Sequence, residues 1–131
     1  MDYTPRQGDI IKMDFEPTKG HEQQGWRPAV VVSNASYNEF SNGIAMVCPI
    51  TNTDRGFPLH PKLDGRTKTT GVVMTNQVKA LDLTQRRAEF IEELPHDILA
   101  EVCDIVSGYS EMDITIDDIV SSIKKRKEHT P

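Results

Sequence analysis

Short apolar runs alternate with turn-forming residues through the first two thirds of the chain, a pattern that predicts β-strands. The predicted strands cover residues 8–15, 28–33, 44–50, 57–63 and 71–81, and residues 34–43 are predicted as a polar turn. The second run is almost continuously β-branched, which indicates a central strand covered on both faces. Pro49 lacks a backbone donor, so we expect the third strand to lie at an edge or to contain a bulge.

After Glu92 the apolar positions change to a helical period. They are Ile98, Val102, Ile105 and Tyr109, with Leu99 and Val106 beside them. This spacing predicts an amphipathic helix with Pro95 in its first turn, where a missing N–H costs little. Thr115 and Asp118 have the spacing of a capping box, so residues 114–123 are predicted as a second short helix.

The length of 131 residues fits one independent core. We predict a mainly β (α+β) domain with a C-terminal helix, a small twisted barrel or sandwich, over residues 1–110. A C-terminal extension over residues 111–131 would hold the short helix and a basic tail. No apolar run approaches ~20 residues and no secretory signal is recognisable, so we expect a cytoplasmic protein without a membrane span.

The net charge of −5 argues against a nucleic-acid partner until its distribution is considered. Residues 50–90 carry seven basic and four acidic side chains, whereas residues 91–120 carry nine acidic and no basic ones. The middle of the chain could therefore present a positive face, and RNA remains a possible partner. Cys48 and Cys103 are expected to be reduced, buried thiols.

The histidines do not predict a metal site. The string His21-Glu22-Gln23-Gln24-Gly25 resembles the start of a zinc-protease HExxH motif, but Gly25 stands where the second ligand belongs. The other histidines are single, and no phosphate loop or nucleophile elbow occurs. We expect no metal and no cofactor.

The segment from Asp14 to Val32, DFEPTKGHEQQGWRPAVVV, resembles the N-terminal signature of the MazF/PemK (Kid, ChpB) toxin family of type II toxin–antitoxin systems. The likeness covers about residues 6–109 and continues in Cys48-Pro49-Ile50-Thr51, Leu63-Asp64-Gly65, Gly71-Val72-Val73 and Asn76-Gln77-Val78-Lys79. It implies an SH3-like β-barrel of the CcdB/MazF type with a C-terminal helix, a homodimer and a MazE-like antitoxin partner. It also implies metal-independent cleavage of single-stranded RNA.

The resemblance places the family's key arginine on Arg27 and its key threonine on Thr51. In the implied reaction the RNA 2′-hydroxyl attacks the adjacent phosphorus, so the site must stabilise a highly negative phosphorane. Arg27 suits that charge because its planar guanidinium holds two oxygens and stays protonated. Thr51 would add a neutral hydrogen bond. The structural alternatives are an ion pair for Arg27 and a strand-end cap for Thr51.

His21 is the candidate for proton transfer, since its unperturbed pKa lies closest to neutrality among the nearby side chains. A hydrogen bond that orders the loop is the alternative role. Kid-like members also carry an Arg-x-Asp pair, which is replaced here by Met74 and Asn76. The identity of the general base therefore stays open.

The predicted substrate-binding residues are Glu22, Gln23, Trp26, Asn76, Gln77 and Lys79. The amides at 76 and 77 suit hydrogen bonds to base edges of unpaired RNA, with a strand-forming role as the alternative. The indole could stack on a base or lie under a partner peptide, with simple packing as the alternative.

A non-catalytic toxin that binds a protein, like the gyrase poison CcdB, is the alternative function on the same fold. The strings His-Glu-Gln-Gln and Pro-Ile-Thr favour the endoribonuclease, because CcdB-like chains lack that site.

Overall fold

The computed structural model describes residues 3–15 and 25–128. Its strands are β1 (Asp9–Asp14), β2 (Trp26–Val31), β3 (Ile44–Thr51), β4 (Val72–Val73), β5 (Lys79–Asp82) and β6 (Glu89–Glu93). Its helices are α1 (Ala35–Phe40), α2 (His96–Gly108) and α3 (Ile116–Glu128), with 3₁₀ turns at Thr75–Gln77 and Leu83–Gln85. The predicted class, mainly β with a C-terminal helix, is confirmed. Among the described helices, none has the length and hydrophobicity that crossing a bilayer requires.

The antiparallel sheet has the strand order β4-β3-β2-β1-β6, and β5 pairs with β3. Alternate residues of a strand point to opposite faces. Ala29 and Val47 are buried on one face with Leu83, whereas Val30 is buried on the other face with Val102 of α2. Both faces of the sheet centre are therefore covered, as predicted for β2.

The two ends of the strand path are joined by a side chain. Within the described residues the hydrogen-bonded path ends at β4 and at β6, so the strand pairing itself does not show a closed barrel. Glu92 of β6 accepts hydrogen bonds from the Lys68 and Thr69 backbone N–H groups, at 3.1 and 2.8 Å, in the loop that leads to β4. This carboxylate holds the loop against the far edge of the sheet.

The position of Pro49 corrects the expectation of an edge strand, because β3 has neighbours on both sides. Its first half pairs with β5 and its last two residues pair with β4. Pro49 lies where one partner gives way to the next, and its carbonyl accepts from Met74 N at 2.8 Å. The absence of a backbone N–H at Pro49 is tolerated because the pairing of β3 with β5 has ended there and the pairing with β4 has not yet begun.

Three other predictions were wrong. Residues 34–43 contain the short helix α1, which the Asn34 side chain caps by accepting from Tyr37 N at 2.9 Å. Residues 57–63 form only an isolated bridge, because Pro58 and Pro61 lack the donors that a ladder needs. Residues 71–81 are not one strand, since a 3₁₀ turn separates β4 from β5. In addition, β6 was not predicted.

The helices follow the apolar pattern. Ile98, Val102 and Ile105 are the large buried residues of α2. At the start of α3, Asp118 N donates to Thr115 Oγ1 at 3.1 Å, and Thr115 N donates to the Asp118 carboxylate at 3.2 Å. These reciprocal bonds are those of a capping box. The helix continues through the basic stretch at residues 124–127.

Candidate active site

A cleft of about 160 Å³ lies beside the ends of β2 and β3 and the turn before β5. Its lining residues are Phe15, Gly25, Arg27, Pro49, Met74, Gln77 and Lys79. Three of them, Arg27, Gln77 and Lys79, are predicted site residues. A larger cavity, about 600 Å³, lies between the N-terminal segment and α1 and is lined by none of the predicted residues. We therefore take the smaller cleft as the candidate site.

Arg27 and Thr51 stand at the ends of two neighbouring strands. The β2–β3 ladder ends at the pair Ala29–Pro49, and Arg27 and Thr51 each lie two residues beyond it. There Arg27 pairs with Met13 of β1, and Thr51 pairs with Val72 of β4. Because alternate residues of a strand point to the same face, Arg27 shares the face of Ala29 and Thr51 shares the face of Pro49. Arg27 is exposed and Thr51 is half-buried. A guanidinium and a hydroxyl can thus reach one group bound at this edge.

The Thr51 hydroxyl is oriented by its own loop. Its Oγ1 accepts a hydrogen bond from Thr53 N at 3.1 Å. A hydroxyl has one proton and two lone pairs, so this bond leaves the proton available for donation. This bond is the strand-end cap that was the structural alternative, and it leaves the hydroxyl proton free for the donor role, which stays a prediction.

Gly71 fixes the backbone of Thr51, a role that the sequence did not indicate. Its φ is +118°, and a Cβ at this position would lie 2.2 Å from the Thr51 carbonyl oxygen. The next residue, Val72, pairs directly with Thr51. Only glycine allows β4 to approach this closely, so Gly71 is part of the structure that positions the Thr51 hydroxyl.

Lys79 supplies a second cation at the cleft. It pairs with Val47 at the start of β5, and its Nζ lies 5.9 Å from the centroid of the Phe15 ring. With Arg27 it places two positive charges in a cleft whose other walls include Phe15, Pro49 and Met74. Two like charges side by side in a cleft attract an anion.

The two neighbouring amides have different surroundings. Gln77 lines the cleft, whereas Asn76 lies outside its lining and contacts His60. The His60 Nε2 to Asn76 Oδ1 distance is 2.7 Å. Because a side-chain carbonyl only accepts, Nε2 carries the proton in this pair, and the exposed Asn76 NH₂ group points away from it. Sequence reasoning missed His60, because the contact joins separate loops.

Trp26 packs within the protein on one face. The guanidinium of Arg87 lies 5.2 Å from the centre of the indole, and it also pairs with the Asp14 carboxylate at 3.3 Å. Asp14 is the strand neighbour of Trp26 and is almost fully buried. This cation–π stack is a packing contact of the indole, and base stacking by Trp26 stays a prediction.

Arg66, another basic residue of the positive middle segment, forms ion pairs away from the cleft. Arg66 donates to the carboxylates of Asp64 and Asp97 at 2.8 and 2.9 Å. These bonds hold the pKa of Arg66 above its usual range and lower the pKa of Asp64 to about 2. Among the described residues of the segment, Lys79 is the basic side chain that lines the cleft.

Three predicted residues, His21, Glu22 and Gln23, lie outside the described residues. Over residues 3–15 and 25–128, no group of three or more His, Cys, Asp or Glu side chains could hold a metal ion. Both cysteines are free thiols, as expected, but only Cys48 is buried, and Cys103 is partly exposed. Burial raises the pKa of Cys48 to about 12.

Comparison with known proteins identifies the family. Residues 6–107 match the family described as PemK-like, MazF-like toxin of type II toxin–antitoxin systems. Endoribonuclease toxin MazF of Escherichia coli K12 is 42% identical over 86 residues, which cover 66% of this chain and 76% of that protein. Endoribonuclease PemK of Escherichia coli is 36% identical over 99 residues, covering 72% and 74%.

The fold agrees with solved members. The MazE–MazF (Form-II) crystal structure from Deinococcus radiodurans matches with a TM-score of 0.72 and 34% identity, covering 86% of this chain and all of that one. MazF (Form-I) from the same organism gives a TM-score of 0.72 at 39% identity, covering 82% and 97%. The chain belongs to the PemK-like, MazF-like toxin family, and the predicted resemblance is confirmed.

Proposed function

We propose that this chain is the toxin of a type II toxin–antitoxin pair and a metal-independent endoribonuclease that cuts single-stranded RNA at specific sequences. The observation that carries the proposal is the cleft lined by Arg27 and Lys79, beside the strand ends that hold Arg27 and Thr51. The named activity of its relatives supports the same reading, since MazF and PemK are endoribonucleases.

The proposed reaction is an internal transesterification. The 2′-oxygen forms a bond to phosphorus, the P–O5′ bond breaks, and the ends are a 2′,3′-cyclic phosphate and a 5′-hydroxyl. The proton of the 2′-hydroxyl passes to a base, and the departing 5′-oxygen gains a proton. Arg27 stabilises the non-bridging oxygens of the phosphorane, and Thr51 donates a hydrogen bond to one of them. His21 is the candidate for proton transfer.

Substrate binding divides between charge and hydrogen bonds. Lys79 attracts a phosphate at the cleft, and Gln77 and Asn76 offer amide groups to unpaired bases. Glu22, Gln23 and Trp26 complete the proposed binding set. The partners are a second copy of the chain and a MazE-like antitoxin. The Deinococcus radiodurans neighbour, solved as a MazE–MazF complex, supports the antitoxin.

The test is cleavage of a long unstructured RNA in EDTA by the wild-type protein and by Arg27→Ala. Loss of one preorganised donor to an oxyanion lowers rates by about 10²–10³-fold, and we expect a fall of that order. Lys125→Ala is the matched control, because it also removes one exposed basic side chain. Equal cutting by Arg27→Ala and wild type, or no cutting by wild type, would refute the proposal. Growth arrest by Arg27→Ala with intact cellular RNA would favour the protein-binding alternative.

A further inference from the structure

Helix α3 lies beyond the matched family region and packs against a turn that leads towards the candidate site. The family match ends at residue 107, whereas α3 begins at Ile116. Ile119 and Ile123 are buried with Leu59 and Ile105 in one cluster, which we call the C-terminal cluster. Leu59 is fully buried there. The helix therefore covers a loop of the domain as well as α2.

The docking of α3 on α2 is specific. A Cβ at Gly108 would lie 3.1 Å from two Ile119 side-chain atoms, so this glycine permits the close approach of the helices. At the other end of α3, Arg126 pairs with Asp104, and Lys127 lies 3.4 Å from the Glu101 carboxylate. The contact has apolar packing at one end and ion pairs at the other.

The C-terminal cluster is joined by hydrogen bonds to the 3₁₀ turn that carries the two amides. Thr75, fully buried, donates from Oγ1 to the Leu59 carbonyl at 2.6 Å. The Tyr109 hydroxyl lies 2.9 Å from the same Oγ1. Since the Thr75 hydroxyl has one proton, Tyr109 is the donor in the second bond. Leu59, Thr75 and Tyr109 thus form one connected unit.

The residues that follow Leu59 and Thr75 in the sequence contact each other beside the cleft. His60 follows Leu59 and contacts Asn76, which follows Thr75, at 2.7 Å. The His60 ring is itself held edge-on by Phe57, with ring centroids 4.7 Å apart. Gln77, the following residue, lines the cleft. The orientation of the Asn76 amide, and the position of the turn that also carries Gln77, therefore depend on the packing of the Leu59 turn.

We propose that α3 is a positioning element for substrate selection, acting through Leu59, Thr75 and Tyr109 on the amides of Asn76 and Gln77. This inference rests on the proposed endoribonuclease function and adds to it the origin of base preference. Hydrogen bonds to base edges discriminate only when donor and acceptor are held in place. A helix that immobilises the turn therefore sharpens the choice of RNA sequence and leaves the reacting groups of Arg27 and Thr51 unchanged.

The test compares kcat/KM on the preferred RNA sequence with kcat/KM on single-base variants of it. Tyr109→Phe removes one hydroxyl, and Ile123→Ala weakens the docking of α3. We expect each to reduce the preference about tenfold, the scale of one base contact, while cutting continues. Lys124→Ala, on the exposed side of α3, is the control and should keep the preference. Unchanged preference in Ile123→Ala, the variant that loosens α3, would overturn the inference while the endoribonuclease function stands.

A second measurement does not depend on cleavage. The side-chain amide NMR signals of Asn76 and Gln77 should shift or broaden in Tyr109→Phe, a mild substitution that retains the ring. Signals identical to wild type would overturn the inference. Altered signals in a protein that cuts no RNA would instead refute the proposed function and leave the positioning role in place.

Discussion

Replacement of Gly71 by alanine tests how the site is built. The new methyl group would lie 2.2 Å from the Thr51 carbonyl oxygen and 2.7 Å from the Thr51 carbonyl carbon. Both distances are far below van der Waals contact, and both atoms belong to the backbone. Because no side chain can rotate away, the end of β3 or the start of β4 must move.

Two contributions set the loss of stability expected for Gly71→Ala. A non-glycine residue at the φ of +118° costs about 1–3 kcal/mol. Relief of the overlap by a backbone shift adds about 1–3 kcal/mol, the usual cost of overpacking. The sum is about 2–6 kcal/mol. At roughly 3–5 °C per kcal/mol for a domain of this length, Tm should fall by about 6–30 °C.

Gly56→Ala is the matched control. Its φ is +74°, and a Cβ added at this position would meet no atom within 4 Å. It therefore has the backbone penalty without the overlap, and thermal unfolding of the two variants separates the contributions. Below its Tm, Gly71→Ala should also cut RNA at least tenfold more slowly, because the Thr51 hydroxyl moves. Equal losses of Tm in the two variants would refute this account of the close approach.

Three further predictions concern single groups. Thr51→Val should slow cleavage about 10²-fold with little change in Tm; an unchanged rate would remove the hydroxyl from the mechanism. Lys79→Gln should weaken RNA binding and reduce the salt dependence of log K by about 0.7, unlike Lys124→Gln, and an unchanged slope would mean no phosphate contact. The pKa of Asp64 is lowered from 3.8 to about 2, so its stabilisation is present above pH 3.8 and is lost as pH falls towards 2. Asp64→Asn should therefore flatten the Tm profile between those values, and an undiminished slope would contradict the assignment.

Local patterns were sufficient for the sheet centre and for α2. The β-branched run of β2 is buried on both faces, and the 3.6-residue period of α2 marks Ile98, Val102 and Ile105 correctly. In both cases the order of apolar and polar residues within one short segment predicts which side chains are buried. The apolar pattern therefore predicts an element correctly when that element buries one continuous stripe, as α2 does, or both faces, as β2 does.

The pattern failed where distant contacts decide the conformation. The break between β4 and β5 occurs at Thr75, whose hydroxyl bonds Leu59 and Tyr109 from other segments. The helix α1 has only one buried residue, the polar Asn38, so no apolar stripe marks it. For residues 57–63 a local signal existed, since two prolines argue against a strand.

The same distinction applies to the candidate site. Arg27 and Thr51 could be located through the resemblance, because each lies in a contiguous string. Phe15, Met74 and His60 could not be assigned, since they reach the cleft or its amides only through the fold. The role of Gly71 likewise depends on a neighbour twenty positions earlier in the chain.

The charge distribution explains how an acidic chain can present a cationic cleft. The acidic segment at residues 91–120 supplies Asp97 to Arg66, Asp104 to Arg126 and Glu101 to Lys127. These carboxylates are therefore engaged with basic groups outside the cleft lining, whereas Arg27 and Lys79 lie in that lining. Since exposed charges are screened within about 10 Å at 0.1 M salt, the field at the cleft depends on its own two cations more than on the net charge of −5. Anion binding should accordingly respond to substitutions at residues 27 and 79 far more than to equal changes of charge on α3.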